Sequence, residues 1–119
     1  MPNTFKKYLF CGAAFLFAAA NLPAQTSLNK ALPLLQKKNR TAAQTQQVFK
    51  NIRAILQAAG YTMDHILKTT VFLADMNDFA AMNEVYARQF DGSFPSRSAV
   101  AVKTLPKNVL VEIETVCAK

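Results

Sequence analysis

The chain reads as an α+β domain with two helices on one face of a sheet. Three observations point there. Apolar residues recur at spacings of three and four over residues 41–60 and again over 79–90. A β-branched and aromatic run, residues 68–73, lies between those two stretches. The last run, residues 109–118, alternates with period two.

The 119 residues make one domain at most, and at 51% hydrophobic with a mean hydropathy of +0.08 they can form a packed core. Lys and Arg number 14 against 7 acidic residues. The basic residues are scattered, there is no Trp, and none of them forms a stripe on a helix face. This excess favours small anions and gives no nucleic-acid footprint.

Residues 1–24 read as a signal peptide-like segment. Lys6-Lys7 precede an apolar run over residues 8–20, shorter than the roughly 20 residues a membrane helix needs. Ala18-Ala19-Ala20 fits a small-residue cleavage site, with cleavage after Ala24 as a second option. The expected location is periplasmic or secreted, with no stable membrane association after cleavage, or membrane-anchored if uncleaved. Cys11 follows Phe10, which is not the context of a lipid-modified cysteine. Cleavage leaves 12 basic and 7 acidic residues, a net of +5, and Cys117 as the sole thiol, so no internal disulfide is expected.

Residues 25–40 read as an irregular lead-in, because Pro33 interrupts any helix using Leu28, Leu32, Leu34 and Leu35 together. The domain proper is expected over residues 41–119. Thr41-Ala42-Ala43-Gln44 has the form of a capping box. Val48, Ile52, Ile55, Leu56 and Ala59 then share a helix face, and Gly60 ends it.

Residues 68–73 carry sizeable groups on both faces and read as a central strand. Asn77-Asp78 are placed to cap a second helix, whose buried face is Phe79, Met82, Val85, Tyr86 and Phe90. Asp91-Gly92 closes it and Pro95 forbids continuation. A strand over 98–103, a turn over 105–108 and a strand over 109–118 complete the order.

That turn is expected to make a hairpin pairing Thr104 with Val109. Parity then puts Arg97, Ala99 and Ala101 on the face of Glu112 and Glu114, pointing away from the helices. Val100 and Val102 would lie beneath the helices with Val111 and Ile113. A face carrying a guanidinium and two carboxylates among small residues is expected to pack against further copies of the chain, with charges lining the clefts. Arg97 can grip a carboxylate with two charge-assisted hydrogen bonds, which Lys cannot do. The competing role is an interfacial salt bridge to a neighbour's Glu112 or Glu114. His65, the only histidine, reads as a surface residue rather than a metal ligand. With three glycines there is no phosphate-binding loop. Lys68 reads as a strand lysine at a subunit contact, Thr69-Thr70 as strand packing, and Cys117 as a small core residue.

Residues 41–118 resemble the RidA/YjgF family of reactive-intermediate deaminases. The resemblance is carried by Asn51-Ile52 through Ala58-Ala59-Gly60, by Ile66-Leu67-Lys68-Thr69-Thr70-Val71-Phe72-Leu73, and by Met76-Asn77-Asp78-Phe79 through Asn83 and Tyr86. It continues in Phe94-Pro95-Ser96-Arg97-Ser98 and in Leu105-Pro106 through Val111-Glu112-Ile113-Glu114.

The resemblance implies a chorismate-mutase-like fold and a homotrimer with sites between subunits. It implies hydrolysis of 2-imino acids, such as 2-iminobutanoate and 2-iminopropanoate, to 2-oxo acids and ammonia, without metal or cofactor. By the same resemblance Arg97 holds the substrate carboxylate and Glu112 positions the attacking water. Asn83 and Tyr86 fall near the subunit interface beside the substrate, and Ala99 takes a pocket position that is often Cys in relatives. The family's N-terminal hairpin, with its Gly-Pro-Tyr and Ser-Gly-Gln runs, is not found, so two strands read as missing or replaced. A catalytically silent carboxylate-binding relative, or an interaction protein pairing through an exposed sheet edge, are the alternatives.

Overall fold

The computed structural model describes residues 8–10 and 33–119. The rest of the leader-like segment, including both cleavage options and Cys11, lies outside the described residues, as do residues 25–32 of the lead-in.

Among the described residues, four strands and two α-helices build the fold: β1 (Tyr8–Phe10), α1 (Pro33–Ala58), β2 (Ile66–Leu73), α2 (Phe79–Ala87), β3 (Ser96–Ala101) and β4 (Val111–Ala118). The expected α+β class holds. Both helices pack on one face of the sheet.

The first helix is longer than its pattern announced. It begins at Pro33, not at Thr41, so the stretch expected to be irregular is helical from there on. Proline is tolerated at a first helical position, where its missing N–H has no intrahelical partner to lose. Thr41 is therefore interior, not a cap. Its hydroxyl donates to the Lys37 carbonyl at 3.1 Å, and that of Thr45 to the Thr41 carbonyl at 2.7 Å. Both threonines are fully buried, and bonding back one turn satisfies them without breaking the helix. Gln44 serves another element: its Oε1 accepts the Leu110 N–H at 2.8 Å and ties α1 to the entrance of β4. The helix stops where expected. Gly60 takes φ 75°, and the Tyr61 N–H reaches back to the Leu56 carbonyl at 2.7 Å.

The sheet order is β1-β4-β2-β3. β4 runs antiparallel to β2, while β3 runs parallel to β2 on its other side. Parallel neighbours need a crossover, and α2 is that crossover. The expected hairpin between the last two strands is thus absent, because β2 lies between them. The Val102 N–H bonds the Leu73 carbonyl at 2.9 Å and the Ala74 N–H bonds the Leu110 carbonyl at 3.0 Å, so the connection passes over the end of β2. At its tip Lys107 and Asn108 both take positive φ, 56° and 53°.

This order overturns the parity argument. Arg97 pairs with Thr69, Ala99 with Val71 and Ala101 with Leu73. Across β2 the same residues pair with Thr115, Ile113 and Val111. Thr69, Val71, Leu73, Val111, Ile113 and Thr115 are buried beneath the helices. Arg97 and Ala99 therefore belong to the helix face. The opposite face holds Val100, Phe72 and Glu112 in one row, and Ser98, Thr70 and Glu114 in the next.

The core joins Val48, Phe49, Ile52 and Leu56 of α1, Met82 and Tyr86 of α2, and Val71, Leu73, Val111, Ile113 and Cys117 of the sheet. Cys117 is fully buried, as its place in the alternation required. Phe49, next to the recognised Val48, adds edge-on ring contacts to Tyr86 at 5.5 Å and to Phe90 at 5.9 Å. Ala59, expected on the buried face, is exposed past the helix end.

A charged clamp sets the start of α2. Lys37 Nζ lies 2.6 Å from Asp75 Oδ2 and 3.6 Å from Asp78 Oδ2. The cap expected at Asn77-Asp78 falls instead on Asp75, whose Oδ1 accepts the Asn77 N–H at 2.9 Å before a 3-10 turn, Met76–Asp78. The bond from Lys37 holds the Asp75 carboxyl below its ordinary range, helped by the Asn77 amide.

Candidate functional site

Sequence and topology together place one cation at an open corner. Gly92 takes φ 80° after α2, and Pro95 disfavours a helical conformation at the preceding Phe94. The Ser96 hydroxyl donates to the Leu67 carbonyl at 3.1 Å. Leu67 sits at the irregularity in the β2–β4 pairing, so this bond pins the first residue of β3 to the entrance of β2. Arg97 follows on the edge strand, facing the last turns of α2.

There the guanidinium is held on two sides. Its Nη1 donates to Asn83 Oδ1 at 2.7 Å. Its central carbon lies 4.4 Å from the Tyr86 ring centroid and 5.6 Å from that of Phe79. A cation over an aromatic face is attracted by the ring quadrupole, by about 0.5–1 kcal/mol at an exposed site. No carboxylate pairs with Arg97 among the described residues. Asn83, Tyr86, Ala87, Phe94, Pro95 and Arg97 line an open cleft of about 400 Å³.

Tyr86 is the pivot. Its hydroxyl is 2.7 Å from the Thr69 hydroxyl in the core. Burial raises the phenol pKa, opposed by the Thr69 hydrogen bond and the Arg97 charge, so the ring stays neutral beneath the cation. Phe90 is 5.1 Å from Tyr86 and 5.9 Å from Phe94, which is 59% exposed at the cleft mouth. One apolar wall and one positive edge suit a small carboxylate with an apolar tail.

Of the residues singled out from sequence, Arg97, Asn83 and Tyr86 meet in this cleft. Ala99 lies on the same face, two residues along β3, and packs against the core. Glu112 does not join them. It sits on the opposite face, beside Phe72 and one pleat from Glu114. Partial burial raises its pKa, and the Glu114 charge raises it further. Phe94, Phe79 and Thr69 were not singled out as site residues. Phe94 could have been, since it lies in the same run as Arg97, three positions before it, and also lines the cleft. Thr69 could not, because its partnership with Tyr86 depends on how α2 crosses the sheet. His65 behaves as a surface turn residue, its Nδ1 accepting the Thr62 N–H at 2.9 Å.

Comparison with known proteins defines the class first. The sequence pattern of the endoribonuclease L-PSP family matches residues 14–119. The chain belongs to that family, the RidA/YjgF group. The match extends well upstream of residue 41, into the apolar run read as a leader.

A RutC family protein of Pyrococcus horikoshii is 49% identical over 105 residues, covering 88% of this chain and 79% of its own length. A mouse protein named 2-iminobutanoate/2-iminopropanoate deaminase is 46% identical over 76 residues, 64% of this chain and 56% of its own. Among solved structures, RidA from an Antarctic Psychrobacter superposes with TM-score 0.64 at 44% identity, covering 66% of this chain and 63% of that one. Escherichia coli TdcF with bound serine gives TM-score 0.63 at 43% identity, covering 66% and 64%. The chain thus spans less than two thirds of the length of these two solved structures.

Proposed function

We propose that this protein hydrolyses small 2-imino acids, of the 2-iminobutanoate and 2-iminopropanoate type, to 2-oxo acids and ammonia. The observation that carries the reading is the Arg97 guanidinium, stacked on Tyr86 and bonded to Asn83 at an open cleft. Its remaining N–H groups have no partner among the described residues and can take a carboxylate edge-on. The mouse relative named for this activity supports the choice of reaction.

In this reading Arg97 fixes the substrate carboxylate and Glu112 positions the water that attacks the imine carbon. Addition of that water gives a carbinolamine, which expels ammonia and leaves the 2-oxo acid. Orientation of imine and water supplies the rate gain, with no metal, cofactor or covalent intermediate. Because Glu112 lies on the far face of its own sheet, the reading requires a second copy, and we take the assembly to be a homotrimer with sites between subunits.

The experiment is ammonia release from 2-imino acid generated in place by an amino-acid oxidase. Wild-type activity that disappears in Arg97→Ala supports the reading. Equal background from both proteins removes it. A second reading, capture of small carboxylates without turnover, is favoured by the absence of Glu112 from the cleft. It expects 2-oxobutanoate binding that needs Arg97, with no ammonia released.

The leader-like segment supports a proposal of export to the periplasm or beyond. Cleavage after Ala20 or Ala24 would also remove β1, which pairs with residues 116–118 of β4. The N-terminal residue of the protein recovered from cells decides it.

A further inference from the structure

We infer that Thr69 is a positioning residue of the anion cleft, acting through the Tyr86 ring. The inference rests on reading the cleft as a carboxylate site. Thr69 lies on β2, fully buried, in register with Arg97 on one side and Thr115 on the other. Its hydroxyl and that of Tyr86 are 2.7 Å apart. Tyr86 is itself only 2% exposed, and Thr69 is its one hydrogen-bond partner among the described residues.

A buried hydroxyl pair of this kind adds little over an apolar pair of the same shape, since both groups leave water to meet each other. What it adds is direction. Phe49 and Phe90 confine the Tyr86 ring by van der Waals contact, at 5.5 Å and 5.1 Å between centroids. Those contacts tolerate tilt and slip. The hydrogen bond does not, because it fixes the far end of the ring to a rigid strand.

The ring in turn is the floor beneath the guanidinium carbon, 4.4 Å above its centroid. Cation–π attraction holds the guanidinium only while the ring presents its face. Asn83 supplies one further restraint on the cation, at Nη1. Thr69 thus fixes the tilt of the ring on which Arg97 rests, and with it where the unpartnered N–H groups meet a ligand, although it never touches that ligand. The same register explains why the relay is short: Thr69 and Arg97 are neighbours across one strand pair, with Tyr86 packed over both.

The test uses the full chain and 2-oxobutanoate, an unreactive carboxylate, with Kd measured by titration calorimetry. Thr69→Val keeps the shape and removes the hydroxyl, and the expected Kd rises about fivefold. Thr69→Ser is expected to bind as wild type does. Tyr86→Phe removes the other hydroxyl, keeps the ring, and should match Thr69→Val, with the double variant no weaker than either single one. In parallel, the Arg97 Nε–H resonance should broaden in Thr69→Val and stay sharp in Thr69→Ser.

A Thr69→Val protein that melts lower yet binds with wild-type Kd and keeps a sharp Arg97 signal overturns the positioning role. Should Thr69→Val fail to fold, Tyr86→Phe binding with wild-type Kd overturns it equally. A wild type that binds no 2-oxobutanoate instead overturns the carboxylate site itself, a failure distinct from the others.

Discussion

Arg97 and Glu112 stand on opposite faces of one sheet. Arg97 pairs with Thr69 on the helix face, while Glu112 pairs with Phe72 on the other. No side-chain rotation can bring them together through a strand layer. Any chemistry using both must take one residue from each of two chains. Arg97→Ala and Glu112→Ala, inactive alone, should therefore complement when unfolded together and refolded as a mixture. About a quarter of wild-type activity is expected, because each site draws its two residues from two randomly chosen copies. A mixture as silent as its components would separate Glu112 from the reaction.

Asn83 and the guanidinium form a second measurable pair. Asn83 Oδ1 accepts from Arg97 Nη1 at 2.7 Å and so restrains a side chain at an exposed edge. Asn83→Ala should weaken carboxylate binding by up to about 1.5 kcal/mol, at the lower end of the range for a hydrogen bond to a charged group because the site is exposed. Arg97→Ala should lose more, about 2–5 kcal/mol, because it removes the charge itself. Arg97→Lys should recover only part of the loss, since an ammonium cannot offer a carboxylate two parallel N–H bonds. Titration of 2-oxobutanoate against the three variants gives the order, and Lys equal to Arg would rule out a two-pronged grip.

Gln44 predicts a stability effect far from the cleft. Its Oε1 takes the Leu110 N–H at 2.8 Å, joining α1 to the start of β4 across 66 residues of sequence. Gln44→Leu would keep the bulk and strand a partly buried amide. A loss of about 1–3 kcal/mol is expected in urea unfolding, with the slope unchanged. An unchanged midpoint would mean that water replaces the glutamine.

The errors of the sequence reading share one cause with its successes. Period alone identified the α2 face, since Met82 and Tyr86 recur at helical spacing and both are buried. It also placed Val111, Ile113, Thr115 and Cys117 on one face of β4, and all four are buried. Those are local facts. Which strand neighbours which is not local. A short turn between β3 and β4 looks like a hairpin, yet β2 lies between them, and that single misplacement turned Arg97 to the wrong face. Thr41 misled for a related reason. A threonine can cap a helix or bond back to its own previous turn, and only the course of the upstream chain decides. Arg97, Asn83 and Tyr86 were legible because they lie in recognisable runs. Thr69 was not, because its role appears only once α2 crosses the sheet.

Glu112 carries a pH signature whose sign reports assembly. Partial burial is the larger cause raising its pKa, and the Glu114 charge adds to it. The folded single chain therefore binds this proton more tightly than the unfolded chain. The contribution of Glu112 to stability declines as pH climbs from the ordinary glutamate value through the raised one, and is level above. Glu112→Gln cannot ionise and escapes that decline. In dilute single chains the variant and wild type should unfold alike near pH 3.5, below the ordinary value of about 4.3. At neutral pH the variant should be the more stable, by a small margin because solvent screens a partly exposed carboxylate. Assembly that brings a partner guanidinium to Glu112 reverses the argument, because an opposite charge lowers the pKa and makes ionisation favourable. Glu112→Gln would then be the weaker protein at neutral pH, and the difference would vanish on dilution. Unfolding of both proteins at two pH values and two concentrations distinguishes these cases. A difference between them that ignored both variables would leave the Glu112 charge with no part in either assembly or the site.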